Sequence, residues 1–123
     1  MAADPAPPTP PPPPLTAAGF QVLLAMAAGH THGYAVMGYV DRLTGGTVRL
    51  GAGTLYRTIA RLVADGLVTE TGGGDQRAPH DSRRRYYALT PRGRAAAEAE
   101  AALLARLADA AQAAGLLPHR RSP

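Results

Sequence analysis

Thr54, Arg57, Thr58 and Arg61 recur at spacings of three, four and seven residues. On a helix that spacing gathers two guanidinium groups and two hydroxyls on one face, with no carboxylate among them. Arginine presents a planar fork to guanine edges or phosphates, and threonine bonds either, so the face suits a helix lying in the major groove of DNA. The same residues also fit the bland role of a solvated outer face on an amphipathic helix. A second cationic group follows: Arg83-Arg84-Arg85 directly precede Tyr86-Tyr87, with Arg77 and His80 upstream. Adjacent residues of a strand alternate between its faces, so at least one of the three arginines points outward, toward a phosphate backbone or a minor groove. Charges on an exposed edge strand also discourage aggregation, but the cationic helix face just upstream favours contact with DNA. Tyr34 and Tyr56 each offer a hydroxyl that can bond a phosphate while the ring packs. Either could equally be a core residue with its hydroxyl at the surface.

Other chemistry finds little footing. The chain has no cysteine, which excludes disulfides, thiolate catalysis and cysteine-based metal sites. His30 and His32 flank Thr31 and His80 precedes Asp81; a metal would need them brought together, and they read as solvated loop residues, so no metal is expected. Gly51-Ala52-Gly53 lacks the Lys-Ser/Thr of a phosphate-binding loop and the third glycine of a dinucleotide fingerprint. No catalytic arrangement of Ser, His and Asp can be built, and neither enzymatic activity nor a cofactor is expected. The formal charge of +4 favours an anionic partner, and all 13 basic residues are arginine. No apolar run approaches the ~18–20 residues of a membrane span, so a cytoplasmic location is expected.

The elements that must hold these residues read as follows. Residues 1–14 contain eight prolines and few large apolar side chains, and are expected to form a disordered, extended tail. Thr16 is a plausible N-cap for a first helix with Phe20, Leu23, Leu24 and Ala27 inward, stopped by Gly29. A second helix runs from near Gly33 to about Thr44, burying Val36, Val40 and Leu43. Thr47-Val48-Arg49-Leu50 is a short β-favouring run. The two-faced helix starts at Gly51, buries Leu55, Ile59, Leu62 and Val63, and stops at Gly66. Leu67–Thr71, with Val68 inward, and Arg83–Leu89, with Tyr87 and Leu89 on one face, read as a hairpin with a long polar tip. Thr90-Pro91 is a helix start, with Thr as cap and Pro at the first position.

From Pro91 to about Ala114 the chain is nearly all Ala, Leu, Glu and Arg, a helix of some 24 residues that would reach about 36 Å at ~1.5 Å per residue. A small core cannot cover such a rod. Ala97, Leu104, Leu107, Ala111 and Ala114 fall near a/d spacing, though Glu100 interrupts the seam. Packing against a second copy, with Leu103 alongside Leu104 and Leu107, would place two reading helices about one DNA turn (~34 Å) apart, matching a palindromic site. The alternative is a helix that folds back on its own domain.

Four segments resemble, in order, motifs of the PadR-like transcriptional regulators: His32-Gly33-Tyr34-Ala35-Val36-Met37, Leu50–Tyr56, Leu62–Val68, and Arg84-Arg85-Tyr86-Tyr87-Ala88-Leu89-Thr90-Pro91-Arg92-Gly93. The resemblance implies a winged-helix dimer that binds operator DNA, usually represses nearby genes, and is released by a small hydrophobic compound at the dimer interface. It places Thr54 and Tyr56 on DNA-facing positions, Tyr34 on the supporting helix and Arg84 on the basic position of the wing. Ala52 departs from the proline common before the reading helix, and the loop from Gly72 to Ser82 is long.

The expected fold is therefore mainly α with a small β-hairpin: a tail over 1–14, a winged helix-turn-helix domain over 15–90, a C-terminal dimerisation helix over 91–115 and a disordered tail over 116–123. Tyr34, Thr54, Tyr56, Arg57, Thr58, Arg61, Arg77, Arg83 and Arg84 are the candidate DNA contacts. Ala97, Leu103, Leu104, Leu107 and Ala111 are the candidate dimer contacts, and Phe20 could line an effector pocket. Two other functions fit the same sequence: a small-molecule sensor acting through the interfacial pocket, and an interaction module that uses the long helix or the proline tail.

Overall fold

The computed structural model describes residues 14–71 and 85–118. The expectations for the tail before Pro14, for Arg77, His80, Arg83 and Arg84, and for residues 119–123 lie outside them. Thr16 opens the first helix as its sequence implies: its backbone is extended and its Oγ1 accepts the Gly19 N–H at 2.9 Å, satisfying an otherwise unpaired amide. The elements are α1 (Ala17–Ala27), α2 (Gly33–Leu43), α3 (Ala52–Ala64), β1 (Val68–Glu70), β2 (Tyr87–Leu89) and α4 (Pro91–Ala113). The strands pair antiparallel, Val68 opposite Leu89 and Glu70 opposite Tyr87. This is the expected mainly α architecture with a two-stranded hairpin, a winged helix-turn-helix followed by one long helix.

Helix α3 ends where the chain turns back. The Gly66 N–H reaches the Val63 carbonyl and the Leu67 N–H the Leu62 carbonyl, at 3.0 and 2.9 Å, a reversal that requires the left-handed backbone of Gly66 (φ +77°). The same pair of bonds closes α1, α2 and α4. At α4 it involves the first residues of the segment 116–123. The Leu116 N–H bonds the Ala111 carbonyl at 2.8 Å and the Gln112 side chain donates to the Pro118 carbonyl at 3.2 Å, so residues 116–118 stay on the last turn.

The core gathers Val22, Leu23, Ala25 and Met26 of α1, Val36 of α2, Leu55, Ile59 and Leu62 of α3, and Leu67, Val68 and Tyr87 of the hairpin. Helix α1 is central and packs on α2, α3, α4 and β2. Its buried stripe is therefore rotated from the one expected: Phe20 and Leu24 are half-buried outside the core cluster, and Ala27 is exposed. Helix α1 is apolar nearly all round, so spacing alone does not choose its inner face. Leu43, expected inward, is 56% exposed at the end of α2, and Val63 is 41% exposed on the flank of α3. Neither reaches the core, because Val40 and Leu62 occupy the inward positions on their helices.

The strand expected over Thr47–Leu50 does not form. Thr44 Oγ1 donates to the Val40 carbonyl at 2.9 Å and accepts the Val48 N–H at 3.0 Å, which curls the segment away from any sheet. The hairpin is extended instead by the turn before α2. His32 bridges Tyr86, and the Tyr87 N–H donates to the Thr31 carbonyl at 2.7 Å.

The start of α4 is bonded into the end of α3. Thr90 Oγ1 accepts the Gly93 N–H at 2.9 Å as N-cap and donates to the Gly66 carbonyl at 2.6 Å. The Thr90 N–H bonds the Leu67 carbonyl at 3.1 Å, and Arg92 Nε bonds the Asp65 carbonyl at 3.2 Å. Gly93 lies so close to Leu67 that a side-chain carbon there would occupy the space of the Leu67 carbonyl. Beyond this junction Ala96 and Ala97 pack on the core, and the rest of α4 runs out from the domain.

Candidate nucleic-acid interface

Leu55, Ile59 and Leu62 fix α3 by burial, which turns its opposite side to solvent. Thr54, Arg57 and Arg61 are exposed there and Thr58 is half-buried, so the four residues share one face as their spacing implies. The Arg57 guanidinium folds back along the helix and donates to Thr54 Oγ1 at 3.4 Å. Among the described residues no carboxylate lies within ion-pair distance of Arg57 or Arg61. Neither charge is neutralised by an acid among the described residues. Gly53, Ala60 and Ala64 lie in line with Arg57 at helical spacing and are exposed as well. Sequence reasoning passed over them; their small side chains leave the helix backbone free to approach a groove floor closely.

One edge of this face forms a cleft of about 260 Å³ against the start of α1. Pro14, Leu15 and Thr16 line one side, and Arg57, Thr58 and Arg61 the other. The N-terminus of α1, with the positive end of its dipole, adds to the cationic character of the cleft. Asp65 is its acidic lining residue.

The two tyrosines separate. Tyr34 is 56% exposed on α2 and stands in line with Gly38 and Arg42, whose guanidinium lies over Gly38. Tyr56 is 37% exposed and turned toward the start of α2: its hydroxyl lies 2.6 Å from where a Cβ on Gly33 would sit.

Of the three consecutive arginines, the described one is engaged at the loop end of the paired strands. Arg85 pairs with Glu70 at 3.6 Å and donates a side-chain hydrogen bond to the Tyr87 hydroxyl. Tyr87 itself is buried, and that burial, with the nearby Glu70 carboxylate, raises its ionisation above the usual 10.0; the Arg85 charge and hydrogen bond oppose the rise.

His32 has a structural role that its place in a turn did not disclose. Its Nδ1 accepts the Ala35 N–H at 3.3 Å, so it is the N-cap of α2, and its ring meets Tyr86 edge-on with centroids 5.8 Å apart. The available signal was its position directly before the first residue of the helix. His30 leans on Tyr39 at 4.7 Å. Among the described residues no three His, Cys, Asp or Glu side chains converge as a metal would require. No helix among them is long and apolar enough to cross a membrane.

On α4, Ala97 is half-buried against its own core, whereas Leu103, Leu104 and Leu107 are 40%, 41% and 56% exposed, and Ala111 is half-buried. Phe20 is half-buried on the flank of α1.

Comparison with known proteins agrees with this geometry. The backbone is similar to that of a transcriptional regulator from Clostridium thermocellum, with a TM-score of 0.64 over 77% of this chain and 86% of that one, at 20% identity. The sequence is 41% identical over 86 residues to an uncharacterized 37.1 kDa protein in transposon TN4556 of Streptomyces fradiae. That match takes in 70% of this chain but 22% of the relative, so the chain spans about a fifth of that protein's length. The model of the PadR-like transcriptional regulator family matches residues 22–99, which include α3, the hairpin and the α3–α4 junction. The chain belongs to the PadR-like family of transcriptional regulators.

Proposed function

We propose that the chain acts as a homodimer that binds a palindromic operator duplex and represses the genes beside it. The observation that carries this reading is the cationic face of α3, with Arg57 and Arg61 exposed and unpaired with any acid among the described residues. Arg57 and Arg61, with Thr54 and Thr58, read or position on the major groove, and Tyr34 meets the backbone from α2. Arg77, Arg83 and Arg84 grip backbone or minor groove from the wing. A second copy covers Leu103, Leu104 and Leu107, with Ala97 and Ala111 at the ends of the seam. This reading is supported by a row of three exposed leucines on a helix that would otherwise leave them in water. A small hydrophobic effector enters beside Phe20 at that interface and releases the operator, in the cytoplasm.

The test is a gel shift on a duplex selected from a randomised pool, repeated across a salt series. Arg57→Ala and Arg61→Ala should each cost about 1–3 kcal/mol of specific binding where the side chain contacts a base, and lower the salt slope by about one where it contacts a phosphate. Unchanged affinity and slope for both variants would reject α3 as the reading helix.

A further inference from the structure

Tyr56 stands in sequence between two groove-face residues, Thr54 and Arg57, yet its side chain leaves that face. Its hydroxyl and ring edge lie over Gly33, at 2.6 and 3.1 Å from where a Cβ would be, and only the absence of a side chain at Gly33 leaves room for them. Gly33 is the first residue of α2, and the residue before it is tied to the wing. His32 bridges Tyr86, and Thr31 accepts the Tyr87 N–H at 2.7 Å. On the next strand Glu70 is opposite Tyr87 and pairs with Arg85 at 3.6 Å. The Tyr56 phenol is also close enough to Tyr87 to contribute to raising its ionisation. A continuous run of contacts thus leads from the second turn of α3, through the start of α2, to both strands of the hairpin.

We infer that Tyr56 is a positioning residue, whose ring wedges on Gly33 and sets the angle between α3 and the wing, and not a phosphate ligand. The inference rests on the reading of α3 as the groove helix. A wedge works through ring volume and a phosphate contact through the hydroxyl, so the two roles separate chemically. Removing the ring opens a gap where α2, α3 and the hairpin meet, and the wing loses its fixed tilt. Removing the hydroxyl leaves the packing in place.

The experiment compares Tyr56→Phe and Tyr56→Ala by binding to a duplex selected from a randomised pool by the wild-type protein, at a temperature where circular dichroism shows all three folded. It adds amide hydrogen exchange on the DNA-free proteins. Tyr56→Phe should bind within about twofold of wild type and Tyr56→Ala about tenfold more weakly. In Tyr56→Ala the Tyr87 and Thr71 amides, which close the wing at 2.7 and 2.8 Å, should exchange about tenfold faster while α1 core amides keep their protection. The inference is overturned if Tyr56→Phe loses as much affinity as Tyr56→Ala, if Tyr56→Ala binds like wild type, if the wing amides stay protected, or if α1 amides accelerate equally. Should the wild type select no duplex at all, the groove-helix reading fails instead, and the exchange data still decide whether Tyr56 holds the wing.

Discussion

Replacing Gly93 with alanine should loosen α4 from the end of α3. In an isolated helix the change would stabilise by up to ~1 kcal/mol, because alanine has the higher helix propensity. Here the sign reverses. The new methyl would overlap the Leu67 carbonyl, which is backbone and cannot swing aside as a long side chain would. The first turn of α4 must retreat, and three bonds stretch with it: Thr90 Oγ1 to Gly66 at 2.6 Å, Thr90 N–H to Leu67 at 3.1 Å and Arg92 Nε to Asp65 at 3.2 Å. At about 0.5–1.5 kcal/mol each the loss is roughly 2–4 kcal/mol, and about 1–3 kcal/mol remains after the propensity gain. For a domain of this size that lowers Tm by about 4–8 °C per kcal/mol. The assay is urea unfolding followed by circular dichroism, at matched protein concentration because the proposed dimer would make stability depend on it. A Gly93→Ala protein as stable as wild type, or more stable, would refute the close approach and the coupling built on it.

Three further outcomes are expected. His32→Ala should cost about 1 kcal/mol of unfolding free energy and His32→Asn much less, since asparagine can cap the Ala35 amide in the same way. Leu107→Asp, on the most exposed of the three α4 leucines, should shift the protein to monomers in sedimentation while leaving its helix content intact. Tyr87 binds its proton more tightly in the fold than its ordinary value of 10.0, because of burial first and Glu70 second. Its stabilisation is thus complete below pH 10 and is lost as pH rises toward the folded value, where unfolding releases a proton. Tyr87→Phe should flatten that alkaline decline in urea midpoints.

The features most legible in the sequence were those that a short segment decides alone. Thr16 and Thr90 cap their helices and Gly66 and Gly115 stop theirs, because cap and stop chemistry depends on a few neighbouring residues. The polar face of α3 was equally plain, since Leu55, Ile59 and Leu62 leave one solvent side for Thr54, Arg57 and Arg61. Tertiary context decided the rest. The inner face of α1 follows from four elements packed around it, and its apolar residues on nearly every side concealed that face. The β-favouring run at Thr47–Leu50 had no neighbouring strand to join once Thr44 had taken the Val48 amide. The wing found its extra partner in Thr31–His32, a turn in which nothing local marks a bridge. The inward turn of Tyr56 depends on the missing side chain at Gly33, more than twenty positions away in sequence.

Thr90 and Arg92, at the start of α4, bond the carbonyls of Asp65, Gly66 and Leu67 just past α3, so the base of the long helix is fastened to the end of the arginine-bearing one. In the proposed pair of chains joined along α4, a small rotation at that seam would change the stride between the two arginine faces.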